Sequence, residues 1–208
     1  MQLGSSPAPL PPVERIGRLT TDQYFRMIES GIIKEGSPYE LLDGLIVLKD
    51  RSTRGEDIMS IGGPHNYVVG LISELNSAIK GRGCFVQSQG PIRIPPLQAP
   101  EPDGAIVRGK RSDFKTQTPH ASDIVSVIEV SDSSLDLDRR DKRPKYAEAG
   151  IPQFVLINLV DREIEIYESP QVSKRDYSQS RIAKPGDNVD FLLADGTRLS
   201  VPVIDLLP

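Results

Sequence analysis

The chain of 208 residues is short of the residue types that build disulfides, zinc centres and membrane spans. Its single cysteine, Cys84, cannot form an intramolecular disulfide and excludes a cysteine-rich zinc site, and two histidines make a histidine-based metal centre a poor hypothesis. No apolar run reaches the roughly 20 residues that span a bilayer. The N-terminal residues also lack the basic and then apolar layout of a signal peptide. We therefore expect a cytoplasmic protein with no membrane partner.

The composition is that of an ordinary globular protein, with 38% hydrophobic and 26% charged residues. Residues 1–17 are rich in proline and serine, so we expect a disordered N-terminal arm there. The remaining residues, 18–208, are enough for one domain with its own hydrophobic core.

The charged residues are unevenly distributed along the chain, although the net charge is only -4. A negative net charge argues against a protein that wraps nucleic acid over its whole surface. Arginine and lysine nevertheless crowd residues 108–115 and 139–145, on either side of two buried-looking acids. Each cluster is either a local contact for DNA or a solvated surface.

Periodicity and turn residues predict a mixture of strands and a few helices. Thr20 is a suitable cap for a short helix, Asp43-Gly44 indicates a hairpin between two apolar runs, and Pro64 begins the longest amphipathic helix. Strands are predicted at residues 84–88, 91–95, 103–107, 124–130, 154–157 and 163–167, a helix at residues 141–149, and a small β appendage after them. This pattern indicates an α/β (α+β) fold with a mixed sheet flanked by helices.

Two acids stand at the ends of the most apolar strands. Asp103 precedes one β-branched run and Glu129 closes another. An acid in a buried strand is costly unless it is paired, hydrogen-bonded or bound to a cation. Because Mg²⁺ needs only one or two carboxylates beside carbonyl and water oxygens, Asp103, Glu129 and the carbonyl of Val130 form a candidate metal site. Phosphodiester hydrolysis needs such a cation.

Two further charged residues are candidates for catalysis. A lysine such as Lys142 next to a metal and a phosphate can lower the pKa of a bound water or donate to the phosphate oxygens. The alternative for Lys142 is a solvent-exposed helical ion pair with Asp138, four residues earlier. Glu40, just before the predicted hairpin turn, is either an accessory acid or a solvent-facing strand residue.

Five short motifs occur in a fixed order along the chain. They are Tyr39-Glu40-Leu41-Leu42-Asp43-Gly44, Pro64-His65 before the long helix, Pro102-Asp103, Glu129-Val130 after an apolar strand, and Lys142 followed by Tyr146-Ala147-Glu148-Ala149-Gly150-Ile151-Pro152. This order resembles the Uma-type restriction endonuclease family of the PD-(D/E)XK nuclease superfamily, over about residues 18–168.

The resemblance implies a restriction-endonuclease-like core and a set of site residues. Asp103 and Glu129 would be the metal ligands and Glu40 an accessory acid. The superfamily lysine normally stands two residues after the glutamate, where this chain has Ser131, so the family supplies it from the next helix as Lys142. Gln153 stands near the position of a helper glutamine in the wider superfamily.

Taken together, we expect a Mg²⁺-dependent endonuclease that hydrolyses DNA, with Mn²⁺ as a possible substitute. Candidate DNA contacts are His65, Arg139, Arg140 and Lys145, although a histidine at a helix start also commonly caps or packs. A homodimer is expected if both strands of a duplex are cut. The alternatives are a DNA-binding module without turnover and a structural dimer domain whose acids are ion-paired with the basic helix.

Overall fold

The computed structural model describes residues 17–49, 63–132 and 134–208. Apart from Gly17, the N-terminal arm expected over residues 1–17 lies outside the described residues. Within the described ranges the longest helix has 16 residues, and no helix has the length and apolar character that crossing a membrane requires.

The first described elements are a capped helix and a tight hairpin. Helix α1 (Thr21–Glu29) begins with a capping box, in which the Thr20 hydroxyl accepts from the Gln23 N–H. Strands β1 (Tyr39–Leu42) and β2 (Leu45–Leu48) are joined by Asp43 and Gly44, both in the left-handed region with φ of 51° and 74°. A two-residue hairpin turn requires this conformation, so the Asp-Gly signal predicted the element correctly.

A six-stranded sheet forms the body of the protein. Its strands are β3 (Cys84–Ser88), β4 (Gly104–Arg108), β5 (Ile124–Ser131), β6 (Gln153–Asn158), β7 (Glu163–Gln171) and β8 (Asp176–Ala183), in that spatial order. Strands β5 and β6 are parallel and the other neighbours are antiparallel. The predicted mixed sheet is confirmed.

Helices cover both faces of the sheet. On one face α2 (Gly63–Ala78) packs on β3, β4 and β5 through residues such as Ile72. On the other face lies the crossover that joins the parallel strands β5 and β6. It consists of α3 (Leu135–Leu137), a π-helical turn (Asp138–Lys142) and α4 (Arg143–Glu148), with Pro144 in the first turn of α4.

Two strand predictions need correction. Residues 91–95 form no strand and make only isolated bridges, because Pro91 and Pro95 lack the N–H groups that a ladder uses. The region after residue 167 was predicted to be a β appendage, but β8 belongs to the main sheet. Only β9 (Asn188–Leu192) and β10 (Arg198–Pro202) form a separate hairpin, and they pack Phe191 into the core beside α2.

Candidate active site

One buried ammonium lies at the centre of three carboxylates. Lys142 Nζ is 3.2 Å from Glu129 Oε1, 3.5 Å from Glu40 Oε1 and 3.5 Å from Asp138 Oδ1. The Lys142 side chain is 3% exposed. The solvent-exposed helical pair considered for Lys142 is therefore wrong, because the contact with Asp138 is one of three contacts in a buried cluster.

The register of the sheet brings the two strand acids side by side. Gly104 of β4 lies opposite Ile128 of β5, so Asp103 and Glu129 are the next residues along the two strands. Their side chains lie on the face covered by α4, since the alternating residues Ala105 and Val127 belong to the core cluster on that face. The sequence predicted both acids but could not predict that their strands are neighbours.

Glu40 reaches the cluster because its hairpin is attached to the segment before Asp103. Leu41 exchanges two backbone hydrogen bonds with Ala99, and the Glu101 N–H donates to Glu40 Oε2 over 3.1 Å. The side chain is fully buried, with 0% exposure. The reading of Glu40 as a solvent-facing strand residue is wrong.

The π-helical turn directs both Asp138 and Lys142 into the cluster. Turns of π-helix are rare in proteins, and those that do occur often lie at functional sites. The Ser134 hydroxyl donates to Asp138 Oδ2 over 2.7 Å, and the Ser131 hydroxyl donates to the same atom. Ser131, two residues after Glu129, therefore holds the acid that faces Lys142. From the sequence Asp138 was expected only as a surface partner of Lys142, and the four-residue spacing between the two was the signal for their contact.

Asp103 has a separate set of partners. His65 Nε2 lies 3.1 Å from Asp103 Oδ2, which also accepts from the Val130 N–H over 2.9 Å. Lys49 Nζ lies 3.6 Å from Asp103 Oδ1 and donates to the Glu101 carbonyl over 2.7 Å. Lys49 is a site residue that the sequence analysis missed, because a lysine after a hairpin strand has no distinguishing pattern.

Tyr146 is a second residue that the sequence analysis missed as a member of the site. Its hydroxyl donates to Glu129 Oε1 over 2.7 Å from within the buried cluster. Tyr146 follows Lys142 by four residues, so the helical spacing that puts two side chains on one face was a usable signal.

Burial and mutual repulsion set the protonation of this cluster. Burial raises the pKa of Glu129 to about 8, with Asp138 and Asp103 adding to the rise against the opposing charge of Lys142. Burial acts to raise the pKa of Asp103 too, but the His65 hydrogen bond and the Lys49 charge lower it well below its usual range. The two neighbouring acids therefore differ widely in acidity.

The donors of the cluster keep their protons. Burial would lower the pKa of Lys142, but the carboxylates of Glu129 and Glu40 raise it well above the usual value. Burial and the charge of Glu129 likewise raise the pKa of the Tyr146 hydroxyl well above its usual value. At neutral pH Lys142 is an ammonium and Tyr146 a neutral phenol, so both groups donate hydrogen bonds.

The family model of Uma2, described as "Putative restriction endonuclease", matches residues 21–202. The chain belongs to the Uma2 family. This confirms the resemblance inferred from the ordered motifs, and membership supports a nuclease function.

Among solved structures, the chain of this Uma2 protein is similar to the crystal structure of "a putative nuclease belonging to DUF820" from Anabaena variabilis. The identity is 16%, the match covers 90% of this chain and 96% of that chain, and the TM-score is 0.64. At this identity the likeness shows the shared fold. No curated protein matches the chain.

The oxygen atoms of the Uma2 site fit a hard divalent cation. Asp103 Oδ1 and Glu40 Oε1 are buried and accept no hydrogen bond from any residue that the structure describes. With Glu129 protonated at neutral pH, the three other carboxylates still outnumber the two ammoniums, those of Lys49 and Lys142, so the site has a deficit of positive charge. Within the described ranges no three His, Cys, Asp or Glu side chains are grouped as a metal site. A cation would therefore rely on two carboxylates, a carbonyl and water.

The basic residues of the Uma2 chain that were predicted to contact DNA lie in different surroundings. Arg139 is ion-paired with Glu165 of β7, and Lys145 is buried with its Nζ 3.0 Å from Asp43 Oδ2. Arg140 is exposed and lies 3.5 Å from Asp136. Arg140 is the most exposed of the three, Arg139 is partly exposed while paired with Glu165, and Lys145 is buried.

Gln153 lies apart from the acids and links β6 to the C-terminal hairpin. Its amide donates to the Asp190 carbonyl over 2.9 Å and accepts from the Leu192 N–H over 3.0 Å. This glutamine therefore attaches β9 to the sheet, and none of its hydrogen bonds within the described part of the chain goes to the site.

Proposed function

We propose that this Uma2 protein is a Mg²⁺-dependent endonuclease that hydrolyses DNA phosphodiester bonds. The observation that carries the proposal is the pairing of Asp103 and Glu129 at one position of two neighbouring strands, with the Lys142 ammonium 3.2 Å from Glu129. A pair of acids and a lysine held on rigid elements is what a site for phosphoryl chemistry needs. Family membership supports the same conclusion.

Asp103, Glu129 and the Val130 carbonyl would hold the cation. When bound, Mg²⁺ or Mn²⁺ would neutralise phosphate charge and lower the pKa of a bound water. His65 and the Val130 N–H fix one oxygen of Asp103 and leave the other without a hydrogen bond among the described residues. In this arrangement the acid is oriented before any ligand arrives.

Lys142 acts as a donor and not as a base. Its raised pKa keeps the proton on the amine, so the ammonium can stabilise negative charge on the non-bridging phosphate oxygens. Glu40 and Asp138 hold the ammonium from two other sides. We propose that Glu40, whose second oxygen is fixed by the Glu101 N–H, also orients a water.

We propose DNA as the partner and a homodimer as the assembly that would cut both strands, in the cytoplasm. Arg140 is the best placed of the predicted DNA contacts, because it is exposed in the π-helical turn that carries Lys142. His65 would act through Asp103. Arg139 and Lys145 would contact phosphate only after leaving Glu165 and Asp43.

The test is cleavage of supercoiled plasmid DNA with Mg²⁺ or Mn²⁺. We expect Asp103→Asn and Lys142→Met to reduce the rate by about 100-fold or more, since each removes several kcal/mol of charge stabilisation. Asp136→Asn, an exposed acid of the same helical segment, is the matched control and should cleave like the wild type. Equal rates in all four proteins would reject the proposed site.

One observation also favours the structural alternative: three carboxylates already surround Lys142. If the cluster served stability alone, Mg²⁺ would leave the melting temperature unchanged, whereas a ligand that binds the folded state raises it. The DNA-binding module without turnover would instead give salt-sensitive DNA binding that survives chelation.

A further inference from the structure

We propose that a cavity beside the acids binds one unstacked nucleobase of the substrate strand, with Gln89 as the residue that recognises it. We call it the side cavity. It has a volume of about 780 Å³ and lies between α1, residues 33–39, residues 89–93 and residues 114–120. The inference rests on the proposed function, because it takes the ligand to be the nucleic acid that the acids would cleave.

Two residues that line the side cavity are hydrogen-bonded through their backbone N–H groups to two of the site acids. Glu101 lines the cavity, and its N–H donates to Glu40 Oε2 over 3.1 Å. Gln89 lines the cavity too, and its N–H donates to the Asp103 carbonyl over 3.1 Å. The cavity therefore adjoins the Glu40 carboxylate and the backbone of Asp103, next to the place where the proposed function puts the phosphate.

Gln89 carries two unfavourable features that a ligand would explain. Its φ of 47° is in the left-handed region that a residue with a side chain rarely adopts. Its amide Nε2 is buried and has no hydrogen-bond partner among residues 17–49, 63–132 and 134–208. Strained and unsatisfied groups of this kind cluster at binding sites. Gln89 is half-buried and lines the cavity, so a rotation of its side chain would bring the amide to an acceptor atom on a base, and glutamine is a standard reader of base edges.

The charges around the side cavity cancel. Three cationic and three anionic side chains line it: Lys34, Arg93, Lys115, Glu29, Glu35 and Glu101. A balanced lining disfavours a phosphate as the occupant and suits an uncharged group that forms hydrogen bonds. This argues that a base enters the cavity while its phosphate stays at the acids.

Flat groups in the lining fit the planar shape of a base. The Arg93 guanidinium lies 3.8 Å from the centre of the Phe25 ring, and Phe114 forms part of another wall. Unstacked bases are commonly received on aromatic rings and guanidinium planes. The volume falls within the range of small-ligand sites, about 300–1,000 Å³, and leaves room for water around one base.

The test compares strands with and without a base at one position. Binding of a labelled single-stranded oligonucleotide is measured by fluorescence anisotropy in the full chain carrying Glu129→Gln, so that the strand is not cleaved. An abasic sugar is moved along the strand, one position at a time. We expect one position at which loss of the base weakens binding by about 10- to 100-fold, the range that base stacking contributes.

Three variants locate that effect. Gln89→Leu removes the amide at similar size, and Thr116→Trp places a large ring in the cavity from an exposed position. Both should bind the intact and abasic strands with equal affinity. Gln179→Leu, an exposed glutamine of β8, is the matched control and should keep the difference.

Three results would overturn the proposal. They are the absence of any sensitive position, an undiminished base effect in Gln89→Leu and Thr116→Trp together, and displacement of the strand by free deoxyadenosine monophosphate at the concentrations at which the strand itself binds. The last result would mean that the base comes from a free nucleotide. Plasmid cleavage without a sensitive position would overturn only the cavity, whereas a sensitive position without cleavage would support the cavity and reject the nuclease.

Discussion

Removing the ammonium at the centre of the site tests the electrostatic interpretation most directly. Lys142→Met keeps the length of the apolar stem and removes the ammonium that lies within 3.5 Å of three buried carboxyl groups. Deleting one partner of a buried ion pair costs about 3–5 kcal/mol of unfolding free energy, because the remaining charge is left uncompensated. For a chain of this size each kcal/mol lowers the melting temperature by about 2–4 °C. We expect the melting temperature to fall by about 6–20 °C at neutral pH.

The pH dependence of this loss has a definite sign. The Lys142 charge opposes the rise in the pKa of Glu129 that burial causes, so without the ammonium the pKa of Glu129 rises further above its usual value. The variant then binds more protons when folded than when unfolded, and its free energy of unfolding falls as pH rises from the unfolded to the folded pKa of this group. Because Glu129 is already protonated in the wild type well below pH 8, the gap between the variant and the wild type should widen as pH rises through about 8, as followed by circular dichroism melts from about pH 6 to pH 10.

Two controls separate charge from packing. Lys174→Met removes an exposed lysine and should change the free energy of unfolding by less than about 0.5 kcal/mol. Adding Glu40→Gln to Lys142→Met removes one of the uncompensated acids and should restore part of the lost stability. A melting temperature within about 2 °C of the wild type for Lys142→Met alone would refute the reasoning, since that shift corresponds to less than about 1 kcal/mol.

Three further predictions concern the neighbours of this lysine. Because burial raises the pKa of Glu129 to about 8, cation binding to its carboxylate should release up to one proton near neutral pH and none well above pH 8. Calorimetry in buffers of different ionisation enthalpy measures the number of protons released. Binding at pH 7 without proton release would contradict the prediction. Tyr146→Phe should cost about 1–3 kcal/mol in chemical denaturation, because Glu129 loses a buried donor, and should weaken Mg²⁺ binding; an unchanged midpoint would count against the hydrogen bond. Arg139→Met should lower stability by leaving the buried Glu165 carboxylate without its cation, while DNA affinity stays constant; the reverse outcome would restore Arg139 as a DNA contact.

Local chemistry made the elements predictable. The capping box at Thr20, the Asp43-Gly44 turn and the strands at residues 84–88 and 154–157 depend on residues close in sequence, and all of them are present. The strand predicted at residues 91–95 is absent from the structure. The apolar alternation used to predict it does not take account of the N–H donors that Pro91 and Pro95 lack. The position of β8 in the main sheet depends on pairing with β7, and such pairing has no local signal.

For the site, the sequence determined which acids stand at the ends of buried strands, because an ionisable residue among β-branched ones is conspicuous at any position. It also placed Lys142 and Tyr146 on one turn of helix. Only the tertiary structure decided that Glu40 faces the same lysine, that Asp138 is held by Ser131, and that Lys49 reaches Asp103. These contacts join segments far apart along the chain or follow from a π-helical turn. Their energy comes from burying charge among specific partners, and this depends on the packing of the whole sheet.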